Sequence, residues 1–206
     1  MNFELWLVFV AAYTVISLIP GPSVLLVTGI ALSRGGKAAC LCIVGELVGG
    51  VALIGLSLFG VGAILAASSG LFQIVKSMGV FYMAYLGLRQ IMETRRDHTD
   101  RHDRSLKHDG ISSVRAGFFT AVLNPKAIVF YVAFVSQFLD PAASIYSQFA
   151  IVVVTSTVIV GVVLGGYAMI AARARRTFQS AQARLRFGYA GGGALIGGSA
   201  FMAVTR

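Results

Sequence analysis

Two ionisable side chains lie well inside apolar stretches of this chain. Glu46 falls in the stretch 39–66 and Lys126 in the stretch 114–139. An ionised group near the centre of a bilayer costs about 2.5–3.5 kcal/mol on insertion scales, so such groups are usually functional. A carboxylate can bind an ammonium and a lysine can bind a carboxylate. The pair is therefore a candidate site for a zwitterionic amino acid, and Glu46 is also the candidate carrier of a coupling proton.

Proline interrupts the first and the fourth apolar stretches. The two breaks consist of Pro20, Gly21 and Pro22 in the first stretch and of Asn124, Pro125 and Lys126 in the fourth. Each proline removes a backbone donor and clashes with the preceding turn of a helix. The exposed backbone is tolerable at membrane depth only where it packs in protein or lines a polar cavity, and a helix that restarts there favours anions at its N-terminus. We expect these six residues and Glu46 to bind the substrate.

The elements that must position these residues are membrane helices. The chain of 206 residues is 57% hydrophobic and 12% charged, whereas soluble proteins are about 25% charged. This composition excludes a disordered tail, a disulfide scaffold and most soluble enzymes. Six stretches can each supply a span of about 20 residues. They cover residues 4–32, 39–66, 71–92, 114–139, 146–172 and 187–204.

A polar segment divides the chain into two halves. We predict a three-helix repeat over residues 1–93, a cytoplasmic linker over 94–110 and a second three-helix repeat over 111–206. Three spans per half require the second half to enter from the opposite side, which makes the repeats inverted. Matched breaks in two inverted halves are the sequence sign of a transporter's central site. The predicted fold is thus an all-α membrane protein of six helices in two inverted repeats, with helices 1 and 4 broken.

The net charge of +9 reflects topology rather than a nucleic-acid partner. Most of the 17 Lys and Arg residues fall in three connections, after spans 1, 3 and 5. The positive-inside bias makes that face cytoplasmic. Both termini are then non-cytoplasmic, and we expect no nucleic-acid binding.

Several other interpretations remain open at this stage. Glu46 and Lys126 could neutralise each other as a buried pair, and the prolines could be kinks without a ligand. His98, His102 and His108 in the linker suggest divalent-metal efflux as an alternative, and Cys40 with Cys42 suggests a membrane thiol–disulfide carrier. A silent structural subunit is a further alternative. We expect no catalytic residue, resident metal or cofactor, because no zincin, nucleophile-elbow or phosphate-loop motif is present.

The order of three motifs resembles the LysE/RhtB amino-acid exporter family over essentially the whole chain. They are Pro20-Gly21-Pro22 with Gly35-Gly36-Lys37-Ala38 and Gly45-Glu46-x-x-Gly49; Lys76-x-x-Gly79-x-x-Tyr82 with Tyr85-Leu86-Gly87; and Asn124-Pro125-Lys126 with Phe130 and Gln137-Phe138. The chain departs at Ala38, where the family usually has glycine, and at Ser136, where proline is frequent. The resemblance implies a multi-pass protein of the bacterial inner membrane that exports amino acids or close derivatives by proton antiport. A homodimer is compatible with its glycine-rich faces.

Overall fold

The fold is helical throughout the part of the chain that the structure describes. The computed structural model describes residues 3–58, 69–99, 110–131, 138, 143–177 and 181–204. No β-strand occurs among these residues, so the expected all-α class is confirmed for them. The helices are α1 (Phe3–Leu18), α2 (Pro22–Arg34), α3 (Gly36–Leu58), α4 (Ser69–Thr99), α5 (Gly110–Val122), α6 (Pro125–Val129), α7 (Ile145–Thr177) and α8 (Ala181–Val204).

Two helices in the described part are long and apolar enough to cross a membrane by themselves. Their qualifying segments are Gly36–Ser57 and Ile145–Arg175. A third span results if α1 and α2, which are bent by 53° at their junction, are counted as one broken helix. The chain is thus a helical membrane protein, while the six-span inverted repeat stays a prediction.

Both proline-containing segments interrupt helices as predicted. The first helix ends at Leu18, Gly21 is the N-cap of α2, and Pro22 occupies its first turn. Proline suits that position because its missing N–H would have no intrahelical acceptor there. At the second break, the Asn124 side chain accepts a hydrogen bond of 3.1 Å from the Lys126 backbone N–H. An Asn N-cap satisfies one of the orphan amides of α6.

Glycines bring α3 and α5 almost into backbone contact. A Cβ atom at Gly45 would clash with the Val114 carbonyl, and one at Gly117 would clash with the Cys42 carbonyl. Because only glycine permits this approach, Glu46 lies directly against the helix that leads to the second break. Gly45 and Gly117 thus serve the packing of these two helices. At Gly165, by contrast, a Cβ atom would meet no described atom within 4 Å.

The polar segment between the predicted halves is partly helical. Helix α4 continues through Thr99, and α5 begins at Gly110. His98 lies in the last turn of α4, whereas His102 and His108 lie outside the described residues. Of the predicted linker, the structure thus describes only residues 94–99 and residue 110.

Candidate functional site

The Lys126 ammonium lies at the end of α1. Its Nζ donates to the Ile16 carbonyl at 3.0 Å and to the Ile19 carbonyl at 2.8 Å. The Tyr167 hydroxyl donates to the neighbouring Leu18 carbonyl at 3.0 Å. The last carbonyls of a helix have no intrahelical donors and carry the negative end of its dipole. A lysine from the second break therefore satisfies the carbonyls that the first break exposes.

Glu46 is buried close to this lysine without being hydrogen-bonded to it. The residue is 3% exposed, and its Oε1 atom has no hydrogen-bond partner among the described residues. The Ser23 hydroxyl is its hydrogen-bonding neighbour, and Lys126 acts on it only through the longer-range electrostatic interaction. In this conformation the Lys126 ammonium donates hydrogen bonds to backbone carbonyls, and the Oε1 atom of Glu46 accepts none from a described residue.

The start of α2 completes the polar part of the site. Gly21 provides no side-chain cap, and Pro22 has no N–H. The backbone amides of Ser23 and Val24 consequently lack intrahelical acceptors. The Asn124 side-chain amide donates to the Ser23 hydroxyl at 3.1 Å, which ties the two breaks together. Amides at the positive end of a helix are suited to a carboxylate.

A cavity of about 70 Å³ lies between these groups. Of the predicted site residues, Gly21, Glu46, Asn124 and Lys126 line it. The three prolines do not: Pro20 is exposed, while Pro22 and Pro125 occupy the first turns of α2 and α6. Their contribution is to shape the breaks. The rest of the wall is mainly apolar and consists of Ile16, Val24, Ala121, Ala127, Phe130, Val160, Val163 and Leu164 with the polar Tyr13, Ser17, Ser23 and Tyr131 and the small Gly50.

This arrangement can bind a small zwitterion that carries an apolar side chain. A buried water needs about 10–15 Å³ of such volume, so the cavity of about 70 Å³ corresponds to about five to seven water-sized groups. One carboxylate and one ammonium face it, and no other charged side chain is among its lining residues. A ligand with a net charge on its side chain would meet no compensating group there.

Sequence reasoning missed several polar residues of the site. Tyr131 donates to the Tyr13 hydroxyl at 2.6 Å, and both tyrosines line the cavity beside Ser17 and Ser23. The available signal was the occurrence of these hydroxyl groups within apolar helices. Pairing between residues 118 positions apart was not visible in the pattern.

The features behind the alternative hypotheses take no part in this cavity. No group of three or more His, Cys, Asp or Glu side chains that could hold a metal occurs among the described residues. Cys40 is exposed, Cys42 is buried, and both thiols are free.

Comparison with known proteins adds a family relationship. Residues 14–206 match the family model described as LysE type translocator. An uncharacterized membrane protein of Vibrio cholerae is 28% identical over 208 residues, which covers 100% of both chains. A leucine efflux protein of Salmonella typhimurium is 33% identical over 138 residues, or 67% of this chain and 64% of that protein. A leucine efflux protein of Enterobacter sp. is 30% identical over 144 residues, 70% of this chain and 66% of that protein. No solved structure matches.

Proposed function

The chain belongs to the LysE type translocator family, and we propose that it exports a neutral aliphatic amino acid such as leucine across the bacterial inner membrane in exchange for protons. The observation that carries the proposal is the cavity between the two helix breaks. It has one buried carboxylate and one ammonium in a wall that is otherwise uncharged and mainly apolar. In this proposal the basic connections face the cytoplasm and both termini face away from it.

The substrate carboxylate binds between Lys126 and the start of α2. A lysine ammonium has three donors, and two of those on Lys126 are used by the α1 carbonyls. One remains for the substrate. The uncapped amides of Ser23 and Val24 supply further donors at the start of α2. Hydrogen bonds to charged groups contribute about 1.5–3 kcal/mol each, which is enough to fix the orientation of a small ligand.

The substrate ammonium binds Glu46. Its Oε1 atom has no partner among the described residues, and an orphaned charged acceptor in a protein interior is costly. An ammonium that enters the cavity removes this cost. When the substrate leaves, a proton on the same carboxylate can neutralise it. Alternating occupancy of Glu46 by an ammonium and a proton would couple the two fluxes.

The apolar wall selects the side chain. Val160, Val163 and Leu164 of α7 line the cavity. An aliphatic side chain gains about 25 cal/mol per Å² of apolar surface removed from water. The names of the Salmonella and Enterobacter relatives agree with such a substrate, although each matches only part of this chain.

Proton exchange supplies enough energy for export. Moving one neutral amino acid out for one proton in transfers one charge down the membrane potential, about 2.3 kcal/mol per 100 mV. At about 1.36 kcal/mol per decade, this sustains a gradient of about 50-fold per 100 mV. No nucleotide hydrolysis is needed.

Transport by the purified protein tests the proposal. Proteoliposomes are loaded with labelled leucine, and its release is followed with and without a pH gradient. Lysine and glutamate serve as charged controls. We expect leucine release that the gradient accelerates, and little release of either charged amino acid. Release of all three at equal rates, or of none, would contradict the proposal.

A further inference from the structure

A second, smaller cavity adjoins Glu46. Its volume is about 20 Å³, and Glu46, Tyr13, Tyr131 and Ser156 contribute its polar lining together with Thr157. None of the residues of the two breaks lines it, whereas three of them, Gly21, Asn124 and Lys126, line the larger cavity. Glu46 and the two tyrosines therefore border both spaces, whereas Lys126 lines only the larger one and Ser156 and Thr157 line only the smaller one.

Two buried polar atoms at this second space have no partner at hydrogen-bonding geometry among the described residues. They are Oε1 of Glu46 and Oγ of Ser156, in residues that are 3% and 2% exposed. A buried polar atom without a hydrogen bond costs about 1–3 kcal/mol. One water molecule needs about 10–15 Å³ and typically makes about three hydrogen bonds. The cavity therefore has the size and the polar partners for one water.

The two tyrosines extend this polar group. Tyr131 donates to the Tyr13 hydroxyl, and both line the small cavity. We infer that one water molecule in this cavity joins Glu46 to Ser156 and to the Tyr13–Tyr131 pair, and that protons reach and leave Glu46 through this chain. The inference rests on the proposed function: the amino acid occupies the larger cavity while the proton uses the smaller one.

The transfer conserves protons at every group. The Glu46 carboxyl gives its proton to the water, and the water gives another of its protons to a tyrosine hydroxyl. That hydroxyl, of Tyr131, passes its original proton to the Tyr13 hydroxyl, and Tyr13 releases its own proton to solvent water on the open side of the transporter. After the hydrogen bonds reorient, the water and both hydroxyls have their starting protons, and one proton has left the carboxyl. Because a carboxylate has about four acceptor positions, Glu46 can contact Ser23, the water and a substrate ammonium.

Other titratable groups near Glu46 lie outside the small cavity. Lys126 of α6 faces the larger cavity, Cys42 lies one turn earlier on α3, and Tyr82 approaches from α4. None of the three lines the smaller one. The tyrosine pair is thus the titratable part of this wall besides Glu46 itself.

An aromatic cluster packs around Tyr13, one of the two tyrosines of this proton route. Phe9, Phe130 and Phe138 pack around Tyr13, and Phe9 is completely buried. The Phe9 and Tyr13 rings stack at a centroid distance of 5.7 Å. A transporter that alternates access must keep its proton route shut on one side, and separation of these rings would open it.

Two conservative substitutions test the inference. Ser156→Ala and Tyr131→Phe each remove one hydroxyl and keep the rest of the side chain. Ser199→Ala is the matched control, because Ser199 is also buried but donates to the Ile196 carbonyl in α8, away from both cavities. Each protein is reconstituted into proteoliposomes that are loaded with labelled leucine. Leucine–leucine exchange is measured at equal pH, and net transport is measured under a pH gradient and, separately, under a sodium gradient.

The expected result separates the two activities. Exchange needs no proton release, so Ser156→Ala, which lines only the smaller cavity, should leave it unchanged, while gradient-driven transport should fall by about a hundredfold, the typical contribution of a positioned proton-transfer group. In Tyr131→Phe, whose side chain also lines the larger cavity, gradient-driven transport should fall by a larger factor than exchange. The control should match the wild type in both. Equal loss of exchange and driven transport would indicate a structural role and overturn the inference, as would full activity of both variants. If a sodium gradient drives transport and both variants lose this activity, the small cavity binds a cation instead of a water molecule, and the inference is overturned. Absence of leucine exchange in the wild type would overturn the proposed function and this inference together.

Discussion

Replacement of Lys126 by methionine should weaken leucine binding, because the carboxylate of leucine loses its ammonium partner while the contacts of the rest of the ligand are kept. The substitution keeps most of the side-chain length but removes the ammonium that donates to the Ile16 and Ile19 carbonyls. It also removes the donor left for the substrate. Lys37→Met is the matched control, since Lys37 is exposed at the start of α3.

The structure sets the size of the effect. One charged hydrogen bond to the substrate contributes about 1.5–3 kcal/mol. At about 1.4 kcal/mol per tenfold, its loss raises the dissociation constant for leucine by about tenfold to a hundredfold. The Ile16 carbonyl, which is partly buried, and the Ile19 carbonyl, which is exposed, also lose their donor. The free energy of unfolding should therefore fall by about 0.5–1.5 kcal/mol, the net contribution of a typical hydrogen bond.

A ligand without a carboxylate separates these two effects. Binding of leucine and of leucinamide to the purified protein in nanodiscs is measured for the wild type and both variants. Leucinamide keeps the ammonium and the side chain but has no negative charge for Lys126 to contact. The Lys126→Met protein should therefore bind leucinamide about as well as the wild type binds it, while leucine affinity falls.

Two results would refute this reasoning. If Lys126→Met weakens leucine and leucinamide by the same factor, the lysine acts only by shaping the break between α1 and α2. If neither affinity changes, the carboxylate binds elsewhere. The Lys37→Met control should bind both ligands like the wild type.

Three further predictions concern the site and its support. Glu46→Gln should weaken leucine binding by about tenfold or more, since it removes a charged partner of the ammonium, yet leave binding of 4-methylpentanoate, which has no ammonium, unchanged in a titration. Gly117→Ala should lower the free energy of unfolding by about 1–3 kcal/mol, because its Cβ would clash with a carbonyl of α3; Gly193→Ala, which meets open space among the described residues, should not lower the melting temperature. Asn124→Ala should cost about 1 kcal/mol in the same melting assay through loss of the N-cap of α6, and unchanged melting would contradict that role.

The sequence was sufficient to predict the class of fold and the two breaks. Proline chemistry is local, so Pro22 and Pro125 mark the first turns of helices whatever surrounds them. The isolation of Glu46 and Lys126 in apolar stretches likewise identified two groups that line one cavity. Membership of the family is confirmed by the match over residues 14–206.

The pattern of apolar and polar residues could not predict contacts between helices that are far apart in the sequence. The sequence predicted that the Lys126 ammonium binds a substrate carboxylate, whereas in the structure it donates hydrogen bonds to the carbonyls at the end of α1. The Tyr13–Tyr131 pair and the cavity beside Ser156 depend on how three helices meet. Periodicity does not determine such angles, because glycine contacts such as that of Gly117 set them in three dimensions.

A structure of the protein with leucine bound is the most direct measurement of the central claim. The ligand should lie between the two breaks, with its ammonium at hydrogen-bonding distance from Glu46 and its carboxylate on Lys126 and the first amides of α2. Its side chain should contact Val163 and Leu164. Leucine bound outside this cavity, or bound with its two charged ends reversed, would contradict the account.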